Sequence, residues 1–434
     1  MKRKIFNQLR TWKANNARKP LVVQGARQVG KTHILKAFGA TEYTNMVYVN
    51  FDKNVRAAAL FEKNLDPHRI LSDLQLQLDE KITPNDTLIF FDEIQECSNA
   101  LNSLKYFCEE ANEYHVVSAG SLLGVKLAKN KGFPVGKVNF LDLFPMTFFE
   151  FLRAMDKELL CDHLMQLNTI EPLNEAIHQD LCDLLKIYMV TGGMPEAVKK
   201  YIETRDFQAV RLIHEEIINA YLLDFSKHAP AEQIMKITQI WNALPSQLAK
   251  ENKKFIFTKM KSDARSREYE IALQWLIDAK LIYPAYNITA PRLPLAAYGD
   301  TNAFKLYCLD VGLLGALSDL FPAIILDGDA LFTEYKGAFT ENLAAQLLMS
   351  QGQKKLYYWT SGNTAEIDFI SHVEGKLEPL EIKAGTSIKK KSLMIYDERY
   401  HPKHLNRGSL MNLKQDGKLR NYPLYLLERF PLLA

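Results

Sequence analysis

The octapeptide GARQVGKT, Gly25 to Thr32, follows the apolar run Pro20–Gln24 and opens a segment of helical periodicity. It matches the pattern G-x-x-x-x-G-K-[ST] at every fixed position, in the strand–loop–helix setting that pattern requires. Glycines let the backbone curl so that successive N–H groups face one anion, and the helix start adds partial positive charge. Gly25, Ala26, Arg27, Gln28, Val29, Gly30, Lys31 and Thr32 are therefore expected to cradle a triphosphate. In this Walker A loop Lys31 reaches the terminal phosphates and the Thr32 hydroxyl ligates Mg²⁺. A second apolar run, Leu88–Phe91, ends in Asp92-Glu93. A buried strand delivers carboxylates to a sheet edge in this way. Asp92 suits support of the metal, and Glu93 suits orienting and deprotonating an attacking water. The run HVVSAG ends at Gly120-Ser121. Ser121 is placed to sense the γ-phosphate or position water, or else to cap a helix.

Four apolar runs in the first third (Pro20–Gln24, Met46–Phe51, Thr87–Asp92, His115–Gly120) alternate with helical patterns. Such alternation predicts an α/β fold with a parallel sheet and crossover helices. At 434 residues the chain exceeds one ordinary core. Four segments are expected: a P-loop core over 1–150, a helical segment over 151–225, a third over 226–290 and a mixed one over 291–434. A net charge of +3 is too small to argue for nucleic acid, so that case must come from local clusters. No apolar run reaches the length of a membrane span, and the basic start lacks the apolar stretch of a signal peptide. Five cysteines without a CxxC pair point to neither a disulfide scaffold nor a zinc site, which fits a reducing cytoplasm.

In the third segment Tyr269, Ala272, Leu273, Leu276 and Ile277 share one helical face, and AKLIYPAY follows as a wing strand would. Lys250 to Arg267 carries seven Lys/Arg against Glu251 and Asp263, suited to DNA phosphates or to a solvated basic face. Further on, Glu341 lies on a helix, Asp368 in EIDFISH and Glu381-Ile382-Lys383 in PLEIK. The order Glu, Asp, Glu-x-Lys is that of restriction-like nucleases. Asp368 and Glu381 would hold Mg²⁺, Lys383 would polarise water and phosphodiester, and Glu341 would support the metal. A plain salt bridge also explains Glu-x-Lys on a strand. Lys383 to Arg407 again carries seven Lys/Arg, against Asp397 and Glu398.

GARQVGKT, FFDEIQ, AGSLLG, LFPMTFFEFL, GGMPEAV and LYCLDVGLLGAL occur in that order. Together they resemble a prokaryotic family of AAA-type ATPases that carries a C-terminal domain of unknown function with a restriction-endonuclease-like core. The resemblance implies an AAA-type core, a helical lid, a winged helix and that C-terminal domain. Where the family has Gly-Arg, this chain has Gly136-Lys137. Lysine brings charge without the bidentate fork, and Arg153 is the alternative. The expected function is Mg²⁺-dependent ATP hydrolysis coupled to modules acting on DNA. The competing expectation is a slow nucleotide-dependent switch that binds protein partners, with a non-catalytic nuclease-like domain. A homo-oligomer is compatible with either.

Overall fold

The computed structural model describes residues 1–121, 124–125, 136–249, 254–260, 265–327, 333–362, 364–385 and 390–432. Parts of AGSLLG and of both basic stretches (122–123, 250–253, 261–264 and 386–389) lie outside the described residues. Two compact units are present. One is Lys2–Phe144 with Asp278–Lys280; the other is Pro145–Ile277 and Leu281–Ala434 with Met1. The three segments expected after residue 150 fall almost wholly within the second unit.

The first unit is built on five parallel strands: β1 (Leu21–Gln24), β2 (Asn45–Asn50), β3 (Thr87–Asp92), β4 (His115–Ala119) and β5 (Asn139–Asp142). Their order is β2-β3-β4-β1-β5. β3 is buried at all six positions, which explains why it reads as a continuous apolar run. A parallel sheet covered on both faces leaves no position for alternating polar residues. Helices α1 (Lys31–Glu42), α2 (Pro67–Leu78) and α3 (Ser98–Glu110) bear on the sheet and its loops. Ile70 and Leu74 of α2 and Leu101, Leu104 and Phe107 of α3 join Val47, Val49, Ile89 and Phe91 in one core. β4 lies between β1 and β3, so Ser121 emerges between the loop after β1 and the carboxylates after β3.

The second unit begins with helices α4 (Phe148–Ala154), α5 (Glu175–Thr191), α6 (Pro195–Thr204) and α7 (Phe207–His228). A capping box formed by Thr147 and Glu150 fixes the start of α4. Then come α8 (Ile234–Leu248), α9 (Ser266–Asp278), β6 (Ile282–Ile288) and β7 (Gly299–Cys308). On α9, Tyr269, Ala272 and Leu276 are buried as the periodicity predicts, Leu273 and Ile277 are half-buried, and Trp275 joins the buried face. The expected wing is not free-standing. β6 pairs antiparallel with β7 but also parallel with β8 (Leu356–Thr360), because Ile282, Tyr283, Ala285 and Ile288 are buried. With β9 (Glu366–Ile367) these strands form the sheet β7-β6-β8-β9. A second sheet runs β10-β11-β12-β14-β13. Its strands are β10 (Phe369–Val373), β11 (Lys376–Ile382), β12 (Leu405–Ser409), β13 (Lys414–Asp416) and β14 (Leu419–Pro423). The unit also holds helices α10 (Val311–Leu317), α11 (Thr333–Ser350) and α12 (Lys391–Tyr400).

Two motifs from the sequence interlock here. Gly193, in the turn between α5 and α6, donates its N–H to Asp310 Oδ2 at 2.6 Å and accepts from Met146 N at 2.6 Å. Asp310 caps α10, its Oδ1 accepting from Leu313 N at 3.1 Å. Gln346 of α11 donates to Asp310 Oδ2 at 3.2 Å and to the Tyr188 hydroxyl at 3.0 Å, and accepts from Val311 N. Tyr188 in turn donates to Met146 O at 2.5 Å. This buried network ties three helices and one turn together, and each member satisfies another that water cannot reach. A Cβ on Gly193 would lie 2.1 Å from Met146 O. Gly193→Ala is therefore expected to cost more than about 2 kcal/mol, read as a lowered midpoint in denaturant. Burial lifts the Asp310 carboxyl from 3.8 to about 6, with backbone donors opposing. Because the folded value is the higher one, the stability tied to Asp310 is full below 3.8 and is lost as pH rises to about 6. Comparing wild type with Asp310→Asn across that window should show this slope only in wild type.

Candidate functional site

The loop after β1 is shaped by backbone geometry that few residues tolerate. Gly25 has φ +151°, Gln28 φ +67° and Gly30 φ +95°. A Cβ on Gly25 would sit 2.2 Å from Leu143 O, so only glycine fits. Ala26 and Val29 are buried and hold the loop from beneath, while Arg27 is exposed. Arg3 donates to Val29 O at 3.1 Å and to Phe144 O at 2.7 Å, an anchor that the sequence does not announce.

Lys31 is buried, and its ammonium donates to Gly25 O at 2.9 Å and Ala26 O at 2.7 Å. Burial lowers its pKa to about 8, opposed by the charges of Glu93 and Asp92 and reinforced by Arg27. The Thr32 hydroxyl donates to Asp92, 3.0 Å from Oδ2 and 3.3 Å from Oδ1. Lys31 and Thr32, about 60 residues from Asp92 and Glu93 in sequence, thus meet them at one sheet edge. Sequence reasoning does not reach Tyr48. Its hydroxyl donates to Asp92 Oδ2 at 2.8 Å, and Lys36 Nζ lies 3.7 Å from its ring centre. Register supplies the reason: Tyr48 pairs with Phe90 and Asn50 with Asp92, so the two side chains share a face.

Glu93 adopts the left-handed conformation, φ 49° and ψ 42°. Its Oε2 accepts from Gln95 Nε2 and lies 3.5 Å from Ser121 Oγ. Lys137 is salt-bridged to Glu109 at 2.7 Å, and Arg153 to Asp162 at 3.0 Å, so both cations considered as phosphate sensors are already paired.

In the second unit two of the predicted carboxylates, Glu341 and Asp368, meet around a cation of the chain itself. Lys305 of β7 is fully buried. Its ammonium is salt-bridged to Glu366 and stands 3.5 Å from Glu341 Oε2 and 3.5 Å from Asp368 Oδ1. Burial opposes its charge, yet Glu341, Tyr307, Glu366 and Asp368 raise its pKa well above 10.5. Asp368 falls at the break between β9 and β10, where Oδ2 accepts from Ile382 N at 2.7 Å. Lys383 meets Glu381 Oε1 at 2.7 Å, the salt bridge that period two allows. Glu366 is half-exposed and belongs to the cluster. Among the described residues no group of three or more His, Cys, Asp or Glu is arranged to hold a metal ion. The sequence could not announce Lys305, because its partners lie 36 to 63 residues away. Nor is any helix among the described residues long and apolar enough to cross a membrane.

The first-unit geometry gives a direct test of shape. Gly25→Ala is expected to lower the thermal midpoint by several degrees, since the clash is with backbone that cannot step aside.

Residues 17–152 match the family described as the AAA domain. Residues 182–323 and 336–426 match two domains of unknown function, DUF8612 and DUF4143. No curated protein matches the chain. Among solved structures, a Walker-type ATPase of Pyrococcus abyssi is similar at 14% identity and TM-score 0.44, over 73% of this chain and 95% of that one. DnaA from Aquifex aeolicus, solved with AMPPCP, is similar at 14% identity and TM-score 0.27, over 64% and 87%. Cdc6p from Pyrobaculum aerophilum is similar at 11% identity and TM-score 0.25, over 74% and 93%. These structural likenesses are distant. With the AAA-domain match over 17–152 and a P-loop on a parallel sheet, the N-terminal unit is an ATPase-like domain of AAA type.

Proposed function

We propose that the chain is a Mg²⁺-dependent ATPase whose N-terminal unit hydrolyses ATP to ADP and phosphate. The observation that carries this reading is the contact of the Thr32 hydroxyl with Asp92 at 3.0 Å, beside a loop in which Gly25, Gln28 and Gly30 all take positive φ. Hydroxyl and carboxylate are hard oxygen donors, so Thr32 and Asp92 fit Mg²⁺ as inner ligand and outer support. Bound there, the ion would neutralise charge developing on the β- and γ-phosphates. Lys31 would leave the Gly25 and Ala26 carbonyls for the phosphate oxygens. Glu93 would orient the attacking water and take its proton, and Ser121 would hold the γ-phosphate side of the pocket. The segments 151–225, 226–290 and 291–434 are proposed as lid, winged helix and restriction-endonuclease-like domain, with DNA the ligand of the latter two. Four of the seven Lys/Arg of the first basic stretch, Lys254, Lys259, Arg265 and Arg267, lie among the described residues.

A second reading is favoured by the grip of Gln95 and Ser121 on Glu93. A base held this way suits a slow switch that a partner releases. Turnover with and without DNA at low salt separates the two: stimulation supports action on DNA, and an unchanged rate with no binding supports the switch.

Glu93→Gln should bind ATP with wild-type affinity and lose at least about 100-fold in turnover. Unaltered hydrolysis would remove Glu93 as the base. Nucleotide affinity should also depend on pH. Phosphates raise the Lys31 pKa, so binding takes up a proton once the free lysine has lost its own. Affinity should hold below pH 8 and fall by up to about tenfold per unit above it, with proton uptake seen by calorimetry in two buffers.

A further inference from the structure

Lys305 is an unusual residue to find fully buried, and its surroundings explain why it is there. Three carboxylates from different elements converge on one ammonium: Glu341 from α11, Glu366 from β9 and Asp368 from the β9–β10 break. Two of them, Glu341 and Asp368, are among the four residues that a metal-dependent nuclease centre would need. Buried carboxylates without a cation or hydrogen-bond donors are too costly to persist. Here the demand is met from within. The Tyr307 hydroxyl donates to Glu341 Oε2 at 3.2 Å, the Ile382 N–H donates to Asp368 Oδ2, and half-exposed Glu366 keeps access to water. Tyr358 closes another side, its ring centre 5.0 Å from the ammonium. Glu381 is engaged separately. Its Oε1 meets Lys383, and its Oε2 has no hydrogen-bond partner among the described residues, although Arg407 stands in register with it on β12.

We propose that Lys305 is the resident cation of this cluster, standing where a nuclease would hold its divalent metal, and that the C-terminal module works without one. A doubly charged ion placed among Glu341 and Asp368 would lie within a few ångströms of the ammonium, and each would repel the other in a medium of low dielectric. The lysine also spans β7, α11 and the β9–β10 break, so displacing it would open the packing of three elements. On this reading the magnesium requirement of the chain belongs to the N-terminal unit alone, and the module binds its ligand rather than cutting it. The inference does not rest on ATP hydrolysis, so the failure of one leaves the other standing.

The test uses the full chain, free of nucleotide, with Mn²⁺ as probe and electron paramagnetic resonance as readout. Wild type and Asp368→Asn should bind Mn²⁺ indistinguishably, and neither should nick supercoiled plasmid in Mg²⁺ or Mn²⁺. Lys305→Gln, near in size but neutral, should melt several degrees lower and gain one Mn²⁺ site with an affinity at least about tenfold above any in wild type. Mn²⁺ should recover part of the lost midpoint where sodium chloride does not, and adding Asp368→Asn should abolish the new site. A wild-type Mn²⁺ site, or plasmid cleavage, that Asp368→Asn removes would overturn the proposal. So would a folded Lys305→Gln chain with no new site. If Lys305→Gln does not fold, the pair of wild type and Asp368→Asn decides the matter.

Discussion

One hydrogen bond, from the Thr32 hydroxyl to the Asp92 carboxylate, gathers the residues of the candidate site in the N-terminal unit. It joins the first turn of α1 to the tip of β3, with β4 lying between β1 and β3 in the sheet. Parallel pairing makes that meeting inevitable once the register is set, because all the strand tips then point the same way. The same carboxylate accepts from Tyr48 and from the Glu93 amide, so its orientation is fixed from three directions. Such fixing suits the metal-supporting role proposed for Asp92, since the rotamer freedom is lost before a ligand arrives. The cradle beside it follows the same logic. Gly25 cannot be larger, Gly30 could not easily be otherwise, and Arg3 clamps the Val29 carbonyl from behind.

The second unit solves a different problem, that of keeping charge inside. Asp310 takes donors from Gly193, Leu313 and Gln346, and Lys305 takes three carboxylates. Each is a buried ion that would be prohibitive alone and is tolerable in its network. Such networks reward one arrangement of the elements and penalise near alternatives, which suits a unit assembled from many short helices and two small sheets.

The sequence is most informative where chemistry is local. The loop Gly25–Thr32 carries its conformational demands in its own residues, and the run Leu88–Phe91 declares a strand buried on both faces. Tyr48 is hidden because nothing in MVYVNF says which strand it will pair with; only register brings it to Asp92. Nothing in FFDEIQ marks Gln95 as a partner of Glu93 either, since a turn of the chain brings the two side chains together. One partner of the expected wing strand is hidden for a related reason. AKLIYPAY has the pattern of a wing strand, but its second partner, β8, is encoded some seventy residues later. In the C-terminal region Glu341 and Asp368, singled out in the sequence, meet in one cluster, while Glu381 and Lys383 pair apart from it. Their spacing does not foretell Lys305, whose neighbours KLYCLD read as an ordinary strand. Partners far apart in sequence leave no periodic trace.

The central claim is that the cradle at Gly25–Thr32 binds a metal-bound triphosphate through Lys31 and Thr32. It is tested most directly by equilibrium titration of a fluorescent ATP analogue into the purified chain, with and without Mg²⁺, against Lys31→Ala and Thr32→Ala. Saturable binding to wild type is expected, lost with Lys31→Ala and made insensitive to Mg²⁺ by Thr32→Ala. Absence of binding to folded wild type in Mg²⁺, or binding that survives Lys31→Ala undiminished, would contradict it.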